Sequence, residues 1–224
     1  MKLKKAIVII NSILLIIIIL ISPLSYYIFN FDHYNSLYEK NGVYKVLDNI
    51  DVLIITESVF NFFKYGTEFK KFELKSNIDY FTDNEISHLE DVRILLIKIF
   101  ILYYLSIFLI IILTILLIEK NILKFFKNIG LIFTVSSASV IIMLIILYFL
   151  GNNFPDLFEN FHQIFFPQGN YTFIWNSLII TIFPFGFFYD FFIKIVITAF
   201  IISIILFIIG ISVIIFFRIK KEIK

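Results

Sequence analysis

The stretch ILLIKIFILYYLSIFLIIILTILLI, residues 94–118, carries one charged side chain, Lys98. A helix needs about 20 apolar residues to cross the ~30 Å hydrocarbon core of a bilayer, so this stretch predicts a membrane-spanning helix. Residues 6–22, 129–150 and 191–217 are similar runs. The chain is 60% hydrophobic and 16% charged, with a mean hydropathy of +0.97, which is far from the composition of a soluble domain. The sequence therefore predicts an all-α polytopic membrane protein with four transmembrane helices.

The apolar runs divide the chain into five predicted regions. Residues 1–22 form the first transmembrane helix, which we interpret as a retained anchor because no A-x-A-like cleavage site follows it. Residues 23–93 form an extracellular cap, and residues 94–150 form the second and third helices with a short cytoplasmic loop. Residues 151–190 form a second extracellular segment. Residues 191–224 form the last helix and a basic cytoplasmic tail.

The distribution of charge predicts the orientation. Basic residues cluster at the N-terminus, in the loop between the second and third spans, and in the C-terminal tail, so these parts are expected on the cytoplasmic side. The cap holds seven basic and twelve acidic residues, and residues 151–190 hold three acidic residues and no basic one. An acidic outer side argues against a nucleic-acid partner. The chain has no cysteine, which excludes disulfides and thiolate chemistry.

Local patterns predict a small α+β cap. Leu47–Tyr65 has apolar residues at helical spacing, and Gly66 is suited to end that helix. The short alternating segments Phe69–Leu74 and Ile78–Phe81 predict a hairpin. A hydroxyl at Thr82 and a carboxylate three residues later predict a capping box at the start of the next helix.

The segment FPDLFENFHQIFFPQGN, residues 154–170, predicts an amphipathic helix. Its phenylalanines fall on one face and its polar side chains on the other, with His162 at the edge of the apolar face. A helix too short to span the bilayer is expected to lie in the membrane interface.

His88 and His162 are the candidate functional residues, because both are predicted near the outer leaflet and imidazole exchanges protons near neutral pH. Glu85 and Asp91 each lie three residues from His88 and could orient its ring. The alternative is that both histidines are ordinary surface residues.

Two further groups could support the histidines. Lys98, one turn inside the second span, could hold a substrate carbonyl or could extend to the membrane surface. Asp156 or Glu159 could complete a zinc site with the histidines, but no H-x-x-x-H or H-E-x-x-H spacing is present. We therefore expect neither a metal nor another cofactor.

Two motifs resemble those of the lipoprotein intramolecular transacylase (Lit) family of bacterial membrane proteins. They are NEISHLEDVR at residues 84–93, and FPDLFENFHQIFFPQGNYTF at residues 154–173 continued by LIITIFPFGFFYD at residues 178–190. The resemblance covers nearly the whole chain, and the order of spans and motifs agrees.

The resemblance implies an intramolecular acyl transfer in a diacylated lipoprotein. The acyl chain at the sn-2 position would move to the α-amino group of the N-terminal cysteine and give a lyso-form lipoprotein, with His88 and His162 as catalytic residues. One histidine would remove a proton from the amine and the other would protonate the glyceryl oxygen. The expected partners are the lipoprotein and membrane lipid, and the expected state is a monomer. A non-catalytic accessory or sensor protein, and a membrane lipase or acyltransferase with another acceptor, remain alternatives.

Overall fold

The computed structural model describes residues 2–69, 74–76, 80–150 and 153–222. Its α-helices are α1 (Lys2–Tyr27), α2 (Phe31–Lys40), α3 (Asn49–Tyr65), α4 (Asp83–Leu116), α5 (Ile122–Leu150), α6 (Phe154–Phe165), α7 (Leu178–Ile182) and α8 (Phe185–Glu222). A short 3-10 turn, Val43–Lys45, follows α2.

The prediction of four transmembrane helices is confirmed. Helices α1, α4, α5 and α8 are each long and apolar enough to cross a membrane, among the residues that the structure describes. Helix α4 has 34 residues and is therefore about 51 Å long. That length exceeds the ~30 Å hydrocarbon core, so α4 carries its first turns, with His88, ahead of the apolar run that begins at Ile94.

The predicted α+β character of the cap is not supported. No strand is found in the described residues, and the described parts of residues 23–93 form α2, α3, the 3-10 turn and the start of α4. Residues 70–73 and 77–79, which contain most of the predicted hairpin, lie outside the described residues. The described residues form an all-helical architecture. It includes α2, whose start is capped by the Asn30 side chain, which accepts a hydrogen bond from the His33 amide.

The chain separates into two compact units. The first comprises residues 1–26, 100–152 and 195–224. Its helices pack through small residues: a Cβ on Gly210 would lie 2.9 Å from the Gly130 carbonyl oxygen, and the Ser136 hydroxyl donates to the Ser12 carbonyl at 3.0 Å. Close approach of backbones is the usual way for helices to associate in lipid.

The second unit comprises residues 27–99 and 153–194 and contains both candidate histidines. Its core is a cluster of buried aromatic and aliphatic side chains centred on Tyr34, Tyr38 and Phe187. The Tyr38 and Phe187 rings stack at 5.6 Å. The helices of this unit begin and end at residues that are typical of helix caps. Gly66 ends α3 in the left-handed conformation at φ 67°, and Thr82 and Glu85 form the predicted capping box at the start of α4.

Candidate functional site

The structure brings the rings of His88 and His162 together within the second unit. His88 lies in the second turn of α4, and His162 lies near the end of α6. Their ring centroids are 5.9 Å apart and their planes differ by 23°. Both residues are buried, with 6% and 9% of their surfaces exposed. Burial, and then the nearby His162 imidazole, lower the pKa of His88 to about 4, although Asp91 and Asn170 oppose the shift.

The backbone fixes the tautomer of His162. Its Nδ1 lies 2.7 Å from the carbonyl oxygen of Phe158, one turn earlier in α6. Because a carbonyl oxygen can only accept a hydrogen bond, Nδ1 carries the hydrogen, and the neutral ring presents the lone pair of Nε2. His88 differs, since its Nδ1 is buried and has no hydrogen-bond partner in the described part of the chain.

Aromatic rings surround the pair. Phe166 contacts both histidines, at 4.8 Å from the His88 centroid and 5.6 Å from the His162 centroid. Tyr171 lies 5.0 Å from His162, and Phe173 lies 5.5 Å from His88. Since Phe166 is 2% exposed, this wall keeps water from the two rings on that side.

Asp91 anchors the segment that follows α6. Its carboxylate accepts hydrogen bonds from Gln168 Nε2 at 2.7 Å and from Asn170 Nδ2 at 2.6 Å. Asn170 also donates to the Ser87 hydroxyl at 3.3 Å. Ser87 and Asp91 lie on either side of His88 along α4, so Asn170 is held beside the His88 ring.

Sequence reasoning did not assign a role to Asn170 or Phe166. The available signal was the PQGN stretch, because proline, glycine and asparagine favour tight turns. Gly169 has φ 78°, and its amide donates to the Phe166 carbonyl at 3.0 Å. That turn directs Asn170 back to α4, which only the tertiary structure reveals.

The Glu85 carboxylate binds at the starts of helices α4 and α7 rather than at the histidines. Its Oε2 accepts from the amide and hydroxyl of Thr82, each at 2.7 Å, and its Oε1 accepts from the amide of Ile179 in α7 at 2.8 Å. Glu85 is 1% exposed. Because both carboxylate oxygens already accept hydrogen bonds, Glu85 supports the site by fixing the backbone positions of Thr82 and Ile179.

Lys98 and Asp156 are not brought to the histidine pair. Lys98 is exposed on α4 and forms no ion pair with another described residue. Asp156 accepts a hydrogen bond from Asn153 at the start of α6. In the described ranges no group of three or more His, Cys, Asp or Glu side chains is arranged to hold a metal ion.

The third histidine, His33, lies elsewhere in the second unit. Its ring contacts Tyr27 at 4.7 Å and Phe191 at 5.4 Å. Burial, and then the nearby charge of Lys194, lower the pKa of His33 below its usual value. His33 is therefore a histidine of the same unit that does not belong to the pair.

Comparisons with known proteins identify a family and similar solved structures. The model of the family described as lipoprotein intramolecular transacylase Lit matches residues 9–188. The structure is similar to that of the lipoprotein intramolecular transacylase Lit from Bacillus cereus, with a TM-score of 0.78, 20% identity, and coverage of 100% of this chain and 99% of that chain. A variant of the Bacillus cereus protein with a histidine replaced by arginine gives a TM-score of 0.74 at 17% identity, covering 98% of this chain and 95% of that one. No curated protein sequence matches significantly.

Proposed function

Because the chain belongs to the lipoprotein intramolecular transacylase Lit family, which makes it an acyltransferase of a multi-pass membrane type, we propose that it acts on a diacylated lipoprotein. The acyl chain at the glyceryl sn-2 position moves to the α-amino group of the N-terminal cysteine. The product is a lyso-form lipoprotein. Donor and acceptor belong to one molecule, so the protein contributes mainly orientation and proton transfer.

The observation that carries this proposal is the buried histidine pair, with ring centroids 5.9 Å apart. An amine must lose a proton when it becomes an amide, and the departing glyceryl oxygen must gain one. One buried imidazole can handle both events in turn, while the second stabilises the charge that develops between them. Their burial also excludes water, which would otherwise hydrolyse the ester.

His162 is the proposed base. The neutral amine attacks the ester carbonyl carbon, and His162 Nε2 accepts the proton that the nitrogen loses. The resulting imidazolium returns that proton to the glyceryl oxygen as the carbon–oxygen bond breaks, so no net proton is consumed. The same base-then-acid sequence is used by histidine in serine hydrolases.

His88 is proposed to stabilise the negative charge that develops on the ester oxygen. The sequence-based expectation, in which the second histidine protonates the leaving group, needs a cationic imidazole before attack. Burial and a second imidazole nearby disfavour that cation. A neutral His88 still has one N–H group, and a preorganised donor of this kind stabilises an oxyanion.

The membrane placement follows from the charge pattern and from α6. We propose that the termini are cytoplasmic and that the histidine pair faces the extracellular side, at the glycerol level of the outer leaflet. Phe161, Ile164 and Phe165 are exposed on α6 at 42%, 71% and 49%, which fits contact with lipid in the interface. A monomer suffices, since both histidines come from one chain.

Replacement of each histidine by alanine tests the function. In cells that depend on this protein for lyso-form lipoprotein, His88→Ala and His162→Ala should each abolish the product, whereas His33→Ala should retain it. Mass spectrometry of lipoprotein N-termini measures the products. Full activity of either variant of the pair would contradict the scheme, and release of free fatty acid instead of an N-acyl product would favour a lipase.

A further inference from the structure

A cavity of about 700 Å3 lies in the second unit next to the surroundings of His88. Its walls are the turn that follows α2, the first turn of α4, and the segment from Thr172 through α7. Phe173 belongs to this wall and also contacts the His88 ring at 5.5 Å, although neither His88 nor His162 lines the cavity. The volume falls within the range of ligand pockets, roughly 300–1,000 Å3.

The cavity wall is mainly apolar with several polar groups, and it is nearly uncharged. Glu85 is the one charged side chain among the described lining residues, and its two oxygens are already occupied by Thr82 and Ile179. Asn84 and Asn176 present amides, and the Ser177 hydroxyl is buried without a hydrogen-bond partner in the described chain. Such a wall suits an uncharged polypeptide, which presents apolar side chains together with hydrogen-bond donors and acceptors, and it is poorly suited to a phosphate.

The backbone of the wall offers further hydrogen bonds. Thr172 and Phe173 belong to no helix, and no backbone hydrogen bond joins either of them to another described residue. Thr172 is exposed and Phe173 is half-buried, so a ligand can reach the backbone N–H and C=O groups of this segment. A polypeptide laid along the segment could pair with them through its own backbone groups.

We propose that this cavity binds the polypeptide that follows the acylated cysteine of the lipoprotein substrate. The inference rests on the proposed function, because it assigns a place to the rest of that substrate. The cysteine must lie at the histidine pair while its acyl chain moves, and the attached polypeptide must leave the pair along some path. Phe173 joins the histidine site to a cavity whose wall matches peptide groups.

Two lipopeptides that share one diacylglyceryl cysteine test the proposal with the full-length protein. The short one carries a single residue after the cysteine, and the long one carries eight uncharged residues. For the wild-type protein, both the dissociation constant and KM for the long lipopeptide should be about tenfold lower, since a few net hydrogen bonds are worth that factor. N-methylation of the backbone at the second to fourth residues should remove the difference.

Asn176→Trp should fill the cavity and abolish the preference for the long lipopeptide, with little effect on the short one. Asn49→Trp, the same change at the exposed start of α3, should keep the preference. Equal affinities of the wild-type protein for both lipopeptides, or an unchanged preference in Asn176→Trp, would overturn the proposal. A preference in binding without any N-acyl product would instead refute the proposed function and leave the peptide site standing.

Discussion

His88 and His162 stack with their ring centroids 5.9 Å apart, although one ring comes from α4 and the other from α6. A chance pair of surface histidines has no reason to be buried together, because two imidazoles lose hydration on burial and would repel each other if both were protonated. The pairing is therefore maintained at some cost to stability, which is common at functional sites.

The two histidines should act as one unit in catalysis. His162→Ala should lower kcat by roughly 10²–10⁴-fold, the usual contribution of an acid–base group. His88→Ala should lower it by roughly 10²–10³-fold, the usual contribution of an oxyanion donor. The double variant should be at most about threefold slower than the slower of the two single variants. The reason is that a site without its base no longer passes through the same transition state. Initial rates of lyso-form product measure this. A rate in the double variant equal to the product of the two single effects would indicate independent roles.

Asp91 should act through the position of Asn170 and the segment that follows α6. Asp91→Ala removes the acceptor of Gln168 and Asn170, so we expect kcat to fall about tenfold or more with a small change in KM. The matched control is Glu90→Ala, which removes the neighbouring carboxylate and its ion pair with Arg93. Similar losses in both variants would show that the effect is only general destabilisation.

Features set by local rules could be predicted from the sequence. The apolar runs predicted four long helices, the spacing of Thr82 and Glu85 predicted a capping box, and Gly66 was expected to end α3. Each depends on neighbours within a few residues. The phenylalanine spacing of residues 154–165 predicted α6 for the same reason.

Features that depend on distant contacts could not be predicted. Glu85 was expected to support His88, but its second oxygen binds the amide of Ile179, a residue that no spacing rule connects to it. Asn170 reaches α4 through a turn at Gly169. Helix α7 has five residues, which is too short for a periodic pattern to reveal.

Glu85 should contribute to stability rather than to proton transfer. Glu85→Gln keeps the shape but loses the charge and one acceptor oxygen, so it weakens the bonds to Thr82 or Ile179. The expected loss is about 1–3 kcal/mol of unfolding free energy, with kcat of the folded protein within about threefold of wild type. Thermal unfolding in detergent and single-turnover rates measure the two quantities. Glu57→Gln, at an exposed position of α3, is the control.

Asp51 should make the second unit less stable in acid. Burial raises the pKa of Asp51, but hydrogen bonds from the Ser76 hydroxyl and from the amides of Lys75 and Ser76 outweigh it and hold the pKa below its usual value. A lowered folded pKa gives stability that is complete above the unfolded value of about 3.9 and is lost as the pH falls through the folded value.

The stability advantage of the wild-type protein over Asp51→Asn should therefore be constant from pH 7 to about pH 5 and should shrink below about pH 4. Denaturant unfolding of the two proteins at each pH measures it. Asp32→Asn, at an exposed position in the first turn of α2, should differ little from wild type throughout. An Asp51→Asn difference that grows in acid would reverse the assigned sign.

Gly210 should be required for close packing in the first unit. A Cβ at this position would lie 2.8 Å from the Thr134 amide nitrogen and 2.9 Å from the Gly130 carbonyl oxygen. In an isolated helix, Gly→Ala stabilises by roughly 0.5–1 kcal/mol. The Thr134 hydroxyl oxygen, at 2.6 Å, could rotate away, but the other two atoms belong to the backbone. Their clash opposes the gain, because α5 and α8 must separate to relieve it. Gly210→Ala should thus lower the unfolding temperature in detergent. The control Ile208→Ala, at a position that is 58% exposed, should change it much less, and a raised unfolding temperature for Gly210→Ala would show that helix propensity outweighs the contact.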